Sequence, residues 1–163
     1  MATPNSNILS KNSKILTNGE KFTIYLVVSR WNKLITNSLL SAAKETLIKA
    51  GVKNENIKVW DVPGSFELIY GSKEAQKKNP NAVIAIGSII QGETKHFEYV
   101  CQAVTHGIKD LNVKSEVPVI FCVLTDSNIK QAKARSGGKF GNKGIEAAIA
   151  ALNMAEFSRN IKK

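Results

Sequence analysis

No apolar run in this chain approaches the roughly 20 residues that cross a bilayer. The opening stretch M-A-T-P-N-S-N-I-L-S-K has no apolar segment of the kind a secretory leader carries. Together these absences point to a cytoplasmic protein. Cysteine is scarce: Cys101 and Cys122 lie in apolar stretches without C-x-x-C spacing. That pattern suits free, buried thiols better than a disulfide or a metal centre. Acidic residues are few, 13 against 23 basic ones, for a net charge of +10. The lysines are scattered over what should be solvated helix faces, with few aromatics among them, so no nucleic-acid surface is expected. Both the dinucleotide fingerprint G-x-G-x-x-G and the P-loop G-x-x-x-x-G-K-[ST] are missing.

What is present is an ordinary globular composition, 43% hydrophobic and 22% charged over 163 residues, enough for one domain with a sizeable core. Residues 1–20 are rich in Asn, Ser, Thr and Lys and read as an N-terminal arm that docks through Ile8, Leu9, Ile15 and Leu16. Residues 21–163 form the domain. Phe22–Ser29 and Ile57–Val62 read as strands, as do the apolar runs Ala82–Ile90 and Val119–Thr125. Between them lie helical patterns. Leu34–Ala50 presents Ile35, Leu39, Ala42, Ala43, Leu47 and Ile48 as one stripe and ends at Gly51. A second helix starts near Glu67 and runs to about Lys78. A third starts near Thr94 and buries Phe97, Val100, Cys101, Val104, Ile108 and Leu111. Ile129–Arg135 and the Ala-rich Ile145–Phe157 complete the chain. The Gly- and Lys-rich loop between them, residues 136–144, suits closure on an anion and suits a plain interhelix turn equally well.

Alternation of this kind means an α/β protein: a three-layer α/β/α sandwich of flavodoxin-like type, with a four-stranded parallel sheet of order 2-1-3-4. Its ligand crevice falls where the strand order reverses, between strands one and three. Trp31 follows strand one, and Thr94 and His96 follow strand three. A helix N-terminus there attracts anions, phosphate above all. An imidazole beside it is a group suited to moving protons.

Several short motifs fall in order along this frame. They are Ser29-Arg30-Trp31-Asn32, Val62-Pro63-Gly64-Ser65-Phe66-Glu67, Gly92-Glu93-Thr94-Lys95-His96-Phe97-Glu98-Tyr99-Val100, Val117-Pro118-Val119-Ile120-Phe121 with Leu124-Thr125, and Gly141-Asn142-Lys143-Gly144. Taken in that order, the chain resembles the lumazine synthase family over residues 22–157. It departs from the family pattern at Ser65 (Ala), Gln91 (Arg or Lys), Cys122 (Gly) and Gly138 (Thr).

The resemblance implies a cofactor-free, metal-free condensation in riboflavin biosynthesis. The substrates would be 5-amino-6-(ribitylamino)uracil and 3,4-dihydroxy-2-butanone 4-phosphate, giving 6,7-dimethyl-8-ribityllumazine. It further implies that Trp31 stacks on the pyrimidine and that Asn32 and Glu67 bind ribityl hydroxyls. The backbone of Ser65, Phe66 and Glu67 and of Ser88, Ile89 and Ile90 would hold the ligands, and Gly92, Glu93 and Thr94 the phosphate. His96 would move protons. Phe121 and Arg135 would come from a neighbouring subunit, with Lys143 nearby, in a homopentamer that closes into an icosahedral shell. Two rivals are a pentameric riboflavin synthase, which uses no phosphorylated substrate, and a lumazine carrier without turnover.

Overall fold

The computed structural model describes residues 18–162. The arm residues expected to dock, Ile8 to Leu16, lie outside that range. The arm's described end is anchored: Gly19 is buried and donates its amide to the Ala50 carbonyl at 2.8 Å.

Strands β1 (Ile24–Ser29), β2 (Ile57–Val62), β3 (Ala82–Ile90) and β4 (Val119–Asp126) form one parallel sheet in the order β2-β1-β3-β4. Helices α1 (Lys33–Lys49), α2 (Leu68–Gln76), α3 (His96–Lys114), α4 (Ile129–Arg135) and α5 (Lys143–Ile161) alternate with them. The register Ile24↔Ile57, Ile24↔Ala82 and Val83↔Val119 puts like positions side by side. Because strand side chains alternate, Ile24, Leu26, Val28, Ile84, Ile86 and Leu124 face one layer, with α1 and α5. Val27, Val83, Ala85, Val119 and Val123 face the other, with α2 and α3. β3 lies inside the sheet with both faces covered, which is why its sequence is a continuous apolar run.

Boundaries differ from the expected ones in instructive ways. β1 begins at Ile24, and Phe22 is buried ahead of it. In α1 the buried stripe includes Thr36 and Thr46, whereas Ile48, expected inside, is exposed. Thr46 enters the interior by donating its hydroxyl to the Ala42 carbonyl at 2.7 Å. In α3 only Val104 and Ile108 are fully buried; Phe97, Val100, Cys101 and Leu111 are half-buried against the same core. Both cysteines are free, Cys122 buried and Cys101 partly so. Burial pushes the Cys122 thiol up to about 12, so no thiolate forms there near neutrality.

The 136–144 loop is more ordered than a turn. Ser136–Gly138 (β5) and Gly141–Asn142 (β6) form a small antiparallel ladder, with Gly137 at φ 117° and Gly141 at φ 79° making the bend. Its last residues start α5 two positions earlier than the periodicity suggests. The Asn142 side chain accepts from the Gly144 amide at 2.8 Å and donates to the Ser38 carbonyl at 3.2 Å. A Cβ at Gly144 would overlap the Leu39 carbonyl oxygen. The motif Gly-Asn-Lys-Gly therefore locks α5 onto α1.

Candidate active site

An open cleft of about 780 Å³ lies at the carboxyl ends of β1 and β3, at the switch point of the sheet. Each wall comes from a different motif. Trp31 and Asn32 follow β1, Gly64–Glu67 lead into α2, Ser88–Ile90 end β3, and Gly92, Thr94 and His96 open α3. The near face of α3 adds Phe97, Tyr99, Val100 and Ala103. Of these, Gly64 and the α3 residues carried no expectation as site residues. Helical spacing from His96 gives Tyr99, Val100 and Ala103, the one signal that could have found them.

The backbone explains why these side chains converge. Asn32 sits at φ 57°, a left-handed conformation that Asn tolerates. From there it donates one side-chain N–H to the Ser88 carbonyl at 2.9 Å, tying the loop after β1 to β3. Trp31 is left 71% exposed at the rim, its indole in the open mouth rather than in the core. Phe66 is also exposed, whereas Ser65 beside it is buried.

The α3 start is suited to an anion. No side chain caps the helix, and Lys95 occupies the N-cap position. The Thr94 hydroxyl accepts from the His96 amide at 3.4 Å, a long contact, while the Glu98 and Tyr99 amides donate to the Lys95 carbonyl at 3.1 and 3.3 Å. Gly92 has a negative φ and open space where a Cβ would stand, so nothing within the chain demands glycine there. A bare backbone beside a helix N-terminus lets a phosphate come close.

Four expected residues lie apart from this cleft. Glu93 is exposed beside it without lining it. Phe121 is on β4 and 39% exposed. Arg135 ends α4 with its Nη1 3.5 Å from Asp126 Oδ1. The Lys143 ammonium is held by Glu146 at 2.8 Å. Among the described residues no three His, Cys, Asp or Glu side chains gather as a metal centre would require, and no helix is long and apolar enough to cross a membrane.

Residues 21–159 match the family model for 6,7-dimethyl-8-ribityllumazine synthase. The chain belongs to that family. It is 53% identical to the 6,7-dimethyl-8-ribityllumazine synthase of Christiangramia forsetii over 164 aligned positions, covering 99% of this chain and 98% of the relative. It is 55% identical to that of Flavobacterium johnsoniae, over 95% of this chain and 82% of the relative. The Parabacteroides distasonis protein is 46% identical over 97% and 99%. Lumazine synthase membership gives the chain its chemical context, the synthesis of 6,7-dimethyl-8-ribityllumazine.

Proposed function

We propose that the cleft between β1, α2 and α3 is the active site at which this chain makes 6,7-dimethyl-8-ribityllumazine, a step of riboflavin biosynthesis. The chain is a transferase that joins 5-amino-6-(ribitylamino)uracil to 3,4-dihydroxy-2-butanone 4-phosphate, releasing phosphate and water. The observation that carries the placement is the convergence of three separate motifs on one cleft: Trp31–Asn32, Gly64–Glu67 and Gly92–His96.

In this reading the exposed Trp31 ring stacks on the pyrimidine. The Asn32 Oδ1 and the Glu67 carboxylate take ribityl hydroxyls, and the backbone of Ser65–Glu67 and Ser88–Ile90 aligns the rest. Gly92, Glu93 and Thr94 surround the phosphate at the α3 N-terminus. His96 takes and returns protons as the amine attacks the ketone, as phosphate leaves and as the ring closes. Holding two substrates in register contributes much of the rate.

Phe121, Arg135 and Lys143 stand outside the single-chain cleft. They reach it when supplied by a neighbouring subunit of a homopentamer, so a lone subunit carries an incomplete site. Pentamers of this kind close into an icosahedral shell, and the protein works in the cytoplasm. The test is a lumazine fluorescence assay with both substrates beside the uncatalysed control, for wild type and His96→Ala. Acceleration that falls roughly a hundredfold or more in the variant supports the reading; an unchanged rate in the variant rejects the role given to His96.

A further inference from the structure

Asp126 closes β4 and is 4% exposed. One carboxylate oxygen, Oδ1, lies 3.5 Å from Arg135 Nη1. The other, Oδ2, is buried with no hydrogen-bond partner among the described residues. Nothing in the reaction assigned above uses this group. A half-satisfied buried carboxylate is costly to a fold, and burial duly pushes the Asp126 carboxyl upward while Arg135 opposes the shift.

Arg135 is held from three sides. Nη1 faces Asp126 and also donates to the Gln131 carbonyl at 3.3 Å. The guanidinium carbon lies 5.3 Å from the Phe140 ring centre. Both polar contacts fall on the same nitrogen. That leaves the Nη2–Nε edge of the fork, the edge that grips a phosphate with two parallel hydrogen bonds. A free arginine has many rotamers to lose on binding, and a held one has few.

We propose that Asp126 is a positioning residue: it fixes Arg135 so that its open edge meets the phosphate of the bound substrate. The proposal rests on Arg135 being the phosphate partner in the assembled enzyme. A neutral, acceptor-free residue at position 126 would leave the guanidinium loose and the fork unaimed.

The test is steady-state kinetics on the assembled full-length protein, varying each substrate separately. Asp126→Ala should raise KM for the phosphorylated substrate roughly tenfold, the weight of one charge-assisted contact, with KM for the pyrimidine unchanged. Asp126→Asn, which keeps an acceptor for Nη1, should recover most of the loss. Asp126→Leu fills the space without an acceptor and takes the place of Ala should a cavity prevent folding. In an Arg135→Ala background, Asp126→Ala should add nothing. An unchanged or lowered KM for the phosphorylated substrate overturns the proposal, as does an equal rise for both substrates. If Arg135→Ala alone leaves that KM unchanged, the phosphate role of Arg135 fails and the proposal falls with it. If only the Asp126 variants are silent, the positioning role fails and Arg135 keeps its own.

Discussion

Asn32 Nδ2 and the Ser88 carbonyl, 2.9 Å apart, join the ends of two strands that are neighbours in space but 56 residues apart in sequence. The bond spans the switch point, so it shapes the cleft as well as the fold. Asn32→Ala loses both the bond and tolerance of φ 57°, and should cost roughly 2 kcal/mol in urea unfolding. Asn32→Gly restores the backbone freedom and should cost about half that. Equal losses would show that the conformation carries no weight.

Gly92 presents the opposite case. With open space around its Cβ direction, Gly92→Ala should leave stability within about 0.5 kcal/mol of wild type. On the proposed placement of the phosphate, its effect should appear in KM for the phosphorylated substrate, because the added methyl group would stand in the phosphate's path. A drop in melting temperature with unchanged KM would place the requirement in the fold.

Ser65 and Gly87 test packing beneath the cleft floor. A Cβ at Gly87 would lie 2.7 Å from Ser65 Oγ and 2.9 Å from Leu68 Cδ1. Ser65 Oγ is itself buried without a partner. Gly87→Ala should therefore destabilise by about 2 kcal/mol through overpacking. Ser65→Ala should be neutral or stabilising by up to about 1 kcal/mol. Combined, the two should cost less than their sum in a double-mutant cycle, since removing the hydroxyl relieves one of the two clashes.

Asp126 makes stability depend on pH. Its carboxyl titrates above the ordinary range because burial disfavours the charge more than Arg135 favours it. Ionisation therefore costs more folded than unfolded, and stability is lost as pH rises through the folded value. Asp126→Asn should melt higher than wild type near pH 7, with the gap narrowing toward about pH 4 as the wild-type carboxyl gains its proton. A gap that widens on acidification would mean that the Arg135 attraction outweighs burial. A higher melting temperature for Asp126→Asn together with a raised KM for the phosphorylated substrate in Asp126→Ala would separate the stability cost of the charge from the positioning role of the residue.

The strands were legible because β1, β3 and β4 are runs of Val, Ile and Leu, and the alternation with helices was enough to order the sheet β2-β1-β3-β4. Trp31, Thr94 and His96 were traceable to one crevice by the same reasoning, and all three line it. Two other features were not legible, because hydrophobic period carries no signal for either. One is the 136–142 ladder, signalled only by its glycines. Another is the Lys143–Glu146 pair, which directs that ammonium along its own helix. The exposure of Ile48, by contrast, follows from helical spacing alone, since it falls about 100° past the edge of the buried stripe at Leu47.

What the sequence determined by itself was the layer architecture, through hydrophobic period, and the family, through the order of its motifs. Both are local properties, read along the chain without knowing what touches what. Only the tertiary structure decided that Asn32 reaches Ser88, that Ser65 turns its hydroxyl toward Gly87, and that Asp126 is buried against Arg135. Those relations depend on strand register and helix packing. A polar group's role follows from whether water or another side chain meets it, and that is fixed only once the chain has closed around it.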